Sequence, residues 1–107
     1  MTTLSGERVL QALRRALEGL VVVRLADPVI KPADLYCGVV VFAIDGLSVA
    51  FYIDCGDLDY CEFAEDEAGQ RGEFDSWYDR GEEPVAMLDQ SDQNRLMNIL
   101  VAAVGST

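Results

Sequence analysis

The chain has no histidine, and only eight of its 107 residues are basic. The missing imidazole removes Ser-His-Asp and Cys-His catalysis, HExxH zinc sites and every histidine proton relay. Scarce lysine and arginine beside nineteen acids leave a net charge of −11, which repels a polyanion and argues against direct nucleic-acid binding. Long apolar runs are also lacking. The longest, Val39 to Ile44 and Ile99 to Val104, are far too short to cross a bilayer, so no membrane partner is expected. The start, Met1-Thr2-Thr3-Leu4-Ser5-Gly6-Glu7, has no basic stretch followed by an apolar one, so export is not indicated and a cytoplasmic location is expected. Three cysteines, Cys37, Cys55 and Cys61, cannot all pair and form no CxxC, so reduced, partly buried thiols are expected rather than a zinc or redox site. No glycine-rich phosphate loop precedes a helix, and no cofactor is expected.

What is present suffices for a core. Half the residues are hydrophobic and a quarter charged, at a length that suits one domain, so 1–107 reads as a single unit. Ser5 followed by Val9, Leu10, Leu13, Ala16, Leu17 and Leu20 has the helical i, i+3, i+4 rhythm, with Ser5 as N-cap and Gly19 at the end. Arg8, Arg14 and Arg15 fall off that stripe, on the solvent side. Asp27-Pro28 and Lys31-Pro32 mark an irregular connection over 21–34, with at most a short edge strand.

From Tyr36 to Ala64 the period becomes two, and Asp45-Gly46 between apolar runs is a strong hairpin signal. A two-residue turn sets Ile44 opposite Leu47, Phe42 opposite Val49, Val40 opposite Phe51 and Gly38 opposite Ile53, which is the core face. The other face pairs Ala43 with Ser48, Val41 with Ala50, Val39 with Tyr52 and Cys37 with Asp54, a smaller and more mixed set that suits partial cover. Asp54-Cys55-Gly56-Asp57 reads as a second tight turn into a third strand, Leu58 to Ala64. After the acid-rich turn Glu65 to Gln70, Arg71 to Tyr78 reads as a fourth, shorter strand, although Phe74 and Trp77 keep no alternation. Pro84 to Leu88 suits a helical turn, and Ser91 an N-cap for a last helix carrying Leu96, Ile99, Leu100, Ala103 and Val104. The expected fold is α+β: an antiparallel three- to four-stranded β-meander with N- and C-terminal helices packed on one face.

The charge is lopsided. Residues 1–44 carry +1, residues 45–92 carry −13 and residues 93–107 carry +1. Twelve acids between Asp54 and Glu83 have only Arg71 and Arg80 beside them in sequence, so they repel one another at short range. Acids two apart on a strand, as expected for Asp57 with Asp59 and Glu73 with Asp75, share a face at about 7 Å, a phosphate-like separation. Such a surface can occupy a basic groove meant for nucleic acid through charge-assisted bonds, the bidentate ones to arginine above all. Asp57, Asp59, Glu62, Glu65, Asp66, Glu67, Glu73 and Asp75 are the expected partner-binding acids, with Tyr60 and Trp77 as aromatic anchors and Tyr52 and Tyr78 interleaved.

Other chemistries find less footing. Asp54-x-x-Asp57-x-Asp59 lacks the glycine a calcium loop needs at position six. Cys55 and Cys61 sit among aspartates that raise a thiol pKa, the wrong field for a nucleophile. The segments Leu35-Tyr36-Cys37-Gly38, Ile53-Asp54-Cys55-Gly56-Asp57-Leu58-Asp59-Tyr60-Cys61, Phe74-Asp75-Ser76 and Asp79-Arg80-Gly81 resemble a family of short uncharacterised bacterial proteins, with the similarity running from Ser5 to Leu100 and departing at Glu62 to Gln70. That resemblance implies no activity. In size and acidity the chain is also similar to the anti-CRISPR inhibitors of phages and mobile elements, a grouping defined by role. The expected function is a non-enzymatic inhibitor of that type, whose acidic meander blocks the nucleic-acid groove of a CRISPR effector. The alternative is an immunity protein that neutralises a basic toxin nuclease with the same electrostatics.

Overall fold

The computed structural model describes residues 3–27 and 31–105, the Pro32 side chain excepted. The expected connection therefore lies partly outside the described residues, at 28–30. Helix α1 spans Gly6–Leu17, and its N-cap Ser5 accepts the Arg8 N–H at 3.1 Å. Past Leu17 the chain turns through Gly19, whose φ of 74° is open to glycine without strain, while the Gly19 and Leu20 N–H groups donate to the Ala16 and Arg15 carbonyls. Val9, Ala12, Leu13 and Ala16 are buried; Leu20 lies beyond the helix and is 62% exposed, so it extends neither the helix nor its apolar stripe.

A short edge strand β1 (Val23–Leu25) and a 3-10 turn over Pro32–Tyr36 lead into β2 (Cys37–Ile44), β3 (Leu47–Asp54), β4 (Asp57–Glu65) and β5 (Arg71–Glu73). All five form one antiparallel sheet in sequence order, one strand more than the upper expectation, because β1 pairs with β2. The β2–β3 register is the expected one throughout, from Ile44↔Leu47 to Cys37↔Asp54. Its turn residues Asp45 and Gly46 both have positive φ, as do Cys55 and Gly56 in the β3–β4 turn, the backbone that two-residue hairpins of type I′ require.

The segment read as a fourth strand ends after three residues. From Phe74 the backbone becomes helix α2 (Phe74–Asp79), which is why Phe74 and Trp77 show no alternation: they are three apart on a helix. Turns over residues 84–87 follow, then helix α3 (Gln90–Gly105). Its first turn is capped by Asp89, whose Oδ1 accepts the Asp92 N–H at 2.8 Å; Ser91, expected as the cap, already lies inside the helix.

Helices α1 and α3 cover one face of the sheet. Phe42, Ile44, Val49, Phe51, Ile53 and Ala64 from that face join Val9, Leu13, Leu96 and Leu100 in the core, all at 0% exposure. Among the described residues no helix is long and apolar enough to cross a membrane.

Trp77 closes the β5 end of the core. It is 1% exposed, its Nε1 donates to the Leu4 carbonyl at 3.1 Å, and the Leu4 N–H donates to the Arg71 carbonyl, so the segment before α1 lies along β5. Gly72 sits beneath it. A Cβ there would collide with the Leu4 carbonyl oxygen and the Trp77 ring, whereas one at Gly105 would meet nothing within 4 Å. Gly72→Ala is therefore expected to cost about 1–3 kcal/mol by overpacking, and Gly105→Ala about 0.5 kcal/mol or less, in urea unfolding. Equal midpoints for the two variants would contradict this packing.

Candidate functional site

The uncovered face of the sheet is set by the register. Across the strands it carries Cys37, Asp54 and Asp57 in one row, then Val39, Tyr52 and Tyr60, then Val41, Ala50, Phe63 and Glu73, then Arg24, Ala43, Ser48, Glu65 and Arg71. Helices α1 and α3 pack on the other side, and Val39 of the second row is 47% exposed. Aromatic rings extend that row past the strands. Tyr52 stacks on Tyr60 with centroids 5.1 Å apart, Tyr60 meets Phe74 at 4.4 Å, and Phe74 meets Tyr78 at 5.5 Å. A continuous aromatic band thus crosses from β3 over β4 to α2.

Two irregularities in β4 decide where the acids go. Phe63 faces Ala50 while Cys61 faces Phe51, leaving Glu62 as an extra residue; Tyr60 faces Tyr52 while Leu58 faces Ile53, leaving Asp59 as another. Each is a bulge, two residues opposing one, which breaks strict alternation. Leu58, Cys61 and Ala64 thereby keep their core positions while Asp59 and Glu62 stand with Tyr60. Burial, the Glu62 charge and a hydrogen bond with Glu62 raise the Tyr60 phenol above its ordinary pKa. The Tyr52 phenol is raised too, by Cys37 and Asp54 first and by Asp59 last.

The expected partner-binding residues divide accordingly. Asp57, Asp59, Tyr60, Glu62, Glu65 and Glu73 lie on or beside the open face, joined by Asp75 from α2. Asp75 is helical, so it is not the strand neighbour of Glu73 that even spacing implied. Asp66 and Glu67 belong elsewhere, to the β4–β5 turn at the opposite end from Asp54 and Asp57. There the Asp66 Oδ1 accepts the Ala68 and Gln70 N–H groups, and a shallow hollow places the pair beside Arg8 and Asp45. Trp77 is a core residue and presents no ring to a partner; Phe74 and Tyr78, the latter 68% exposed, occupy the surface instead. A strand reading of Arg71 to Tyr78 gives Phe74 and Trp77 no alternating face; helix α2 sets Phe74 beside Tyr60 and Trp77 in the core.

Among the described residues, the ion pairs on this face are those of Arg71. Its Nε lies 3.0 Å from Glu73 Oε1, its NH1 3.9 Å from Glu65 Oε2, and its guanidinium carbon 3.9 Å from the Phe63 ring centroid. Arg8 and Arg15, expected on a solvated helix face, instead reach Asp45 at 3.3 and 3.6 Å, and Arg95 reaches Asp92. Among the described residues no ion pair engages Asp54, Asp57, Asp59, Glu62 or Asp75. A cavity of about 280 Å³ opens among Tyr60, Glu62, Phe63, Arg71, Glu73, Phe74 and Asp75. The larger hollow along α1, about 570 Å³, is lined by that helix and its cap, with Glu7 and Glu18 beside Arg8, Arg14 and Arg15, so no charge of one sign converges there.

Where partly buried thiols are expected, Cys37 and Cys55 are exposed and Cys61 is buried. Burial first, then Glu83 and Glu62, push the Cys61 thiol well above its ordinary pKa, which disfavours a thiolate. Among the described residues no group of three or more potential ligands is arranged to hold a metal ion.

One acid counted with the surface set turns inward. Glu83 is 5% exposed; its Oε2 accepts the Val85 N–H at 2.7 Å and the Cys61 N–H at 3.2 Å, and its Oε1 accepts the Ala86 N–H at 3.1 Å. It caps the turns after Pro84 and also satisfies the edge of β4 where β5 has ended. Burial raises its carboxyl above the usual range, the three N–H groups pull it back, and Asp59 adds repulsion. The folded chain thus holds this proton more tightly than the unfolded chain, so the group's contribution to stability is complete below the ordinary glutamate value and is lost as pH rises through the raised one. Urea unfolding across pH should show wild type at its best relative to Glu83→Gln in acid, with the advantage shrinking toward neutrality. An advantage that grows with pH would refute this assignment.

A family model described as a domain of unknown function, DUF7693, matches residues 3–102. Neither a curated protein nor a solved structure matches the chain.

Proposed function

The chain belongs to the DUF7693 family, and since that family brings no assigned activity, we propose its function from the open face itself: a non-enzymatic inhibitor of anti-CRISPR type that occupies the basic nucleic-acid groove of a CRISPR effector. The observation that carries this reading is unneutralised charge on an uncovered surface. Asp54, Asp57, Asp59, Glu62 and Asp75 meet no cation of the chain among the described residues, although an aromatic band runs between them. Anions within a Debye length, about 8 Å at physiological salt, repel one another, and a basic partner relieves that repulsion. The aromatic band supplies a dehydrating centre and the carboxylates a polar border, the division of labour found in specific interfaces. The CRISPR effector is the first target class because in size and acidity the chain is similar to the anti-CRISPR inhibitors. A toxin nuclease, as bound by an immunity protein, has a groove of the same sign.

Purified chain added to DNA cleavage by reconstituted CRISPR effector complexes is expected to inhibit, with inhibition falling steeply between about 50 and 200 mM salt. A folded variant carrying Asp59→Lys, Glu62→Lys and Asp75→Lys should lose inhibition at least tenfold. Undiminished inhibition by that variant overturns the mimicry. Effectors left active throughout, with a toxin nuclease neutralised instead, overturn the anti-CRISPR role in favour of immunity.

A further inference from the structure

The sheet has two edges, and the chain covers one of them. At β5 the Leu4 N–H donates to the Arg71 carbonyl, so the segment before α1 lies along that side. The β1 edge is different. The Ala26 N–H donates to the Val41 carbonyl, in the same register that sets Val23 opposite Ile44. Residues 24 and 26 therefore turn their main-chain groups toward β2, and alternation turns those of Val21, Val23 and Leu25 away from it. Among the described residues no turn, loop or side chain answers these outward groups. Val21, Val23 and Leu25 are also half-buried against the core, whereas Val22, at 66%, and Arg24 are exposed. In-out alternation thus holds over 21–25, two residues beyond the paired strand, and the apolar layer ends there in side chains still partly in water.

We infer that β1 pairs with the β1 of a second copy of this chain, antiparallel about a two-fold axis at Val23. In that register Val23 meets the partner's Val23 and Val21 meets the partner's Leu25, apolar with apolar on the core side, through the outward N–H and C=O groups. On the open side Val22 meets the partner's Arg24. An axis at Arg24 would instead set two guanidinium groups directly opposite each other, which like charge disfavours. The segment is therefore complementary to itself. Charge points to the same occupant. The chain carries −11, yet residues 1–44 sum to +1 and β1 lies across the sheet from β4 and β5, so this is the edge where two copies repel each other least. Two-fold pairing of antiparallel strands keeps each face of a sheet on its own side, so the two sheets join with both open faces pointing the same way. The dimer goes beyond the inhibitor reading and does not rest on it.

Sedimentation velocity of the full chain between about 10 µM and 1 mM, the range suited to a small edge interface, should show the mass rising toward that of two chains. Val22 and Arg24 are exposed, so their charges can be exchanged without disturbing the core, and circular dichroism checks that each variant is folded. Val22→Lys sets an ammonium against the partner's Arg24 and should weaken the dimer about fivefold or more, although it lowers the net repulsion between chains. Adding Arg24→Glu to that variant should restore association. Val39→Lys, at an exposed site of β2 beyond the stretch that pairs with β1, should leave association unchanged. A monomer at every concentration, failure of Arg24→Glu to restore the dimer, or equal weakening by Val39→Lys overturns the β1 pairing.

Discussion

A five-stranded sheet has two faces to satisfy, and the two long helices of this chain both pack on the same one. That one-sidedness governs the rest. The covered face can be uniformly apolar, and Phe42, Ile44, Val49, Phe51 and Ile53 are fully buried there. The open face has to remain compatible with water while still holding strands together, and it does so with small residues toward β1 and β2 and with a band of rings edged by acids toward β4 and α2. Each buried large side chain contributes about 1.5–3 kcal/mol, whereas an exposed ion pair contributes about 1 kcal/mol or less. Stability therefore resides in the covered face, and the acids of the open one are not needed to hold the fold.

The two bulges of β4 connect these demands. A strand that alternated strictly could not place Leu58, Cys61 and Ala64 in the core, because they are three apart; an extra residue in each interval restores all three to the same side. The residues extruded are Asp59 and Glu62. Packing on the covered face thus brings Asp59 to the open one beside its sequence neighbour Tyr60, where Glu62, two residues further on, lies by plain alternation. The same strand outruns β5, and the edge so exposed at Cys61 is answered by Glu83, a carboxylate drawn inward because the unpaired N–H needs an acceptor.

Charge is segregated by the same architecture. Arg8 and Arg15 on α1 hold the Asp45 turn, Arg24 lies on β1, and Arg95 links α3 to the end of α1 by donating to the Leu17 carbonyl. Asp54, Asp57, Asp59, Glu62 and Asp75, without an ion pair among the described residues, lie on the β3–β4 turn, β4 and α2, with Arg71 engaged by Glu65 and Glu73 beside them. A molecule built this way keeps a set of unpaired acids on its open face, beside an arginine that carboxylates already hold.

Much of this was readable from the residues because it is local. The Asp45-Gly46 turn, the eight-pair hairpin register, the Ser5 cap and the helical apolar stripes depend on spacing and backbone preference within a few positions. The acidic excess between Asp54 and Glu83 is likewise a property of composition. What the sequence could not determine involves partners far along the chain. Trp77 is buried because Leu4, seventy-three residues away, accepts its indole N–H, and Glu83 because the Cys61 N–H lacks a strand neighbour. Asp59 stands beside its sequence neighbour Tyr60 because the layers on the other face claim both Leu58 and Cys61. Local periodicity specifies which residues can share a face; only the assembled layers decide which face is buried, and therefore which carboxylates remain in water.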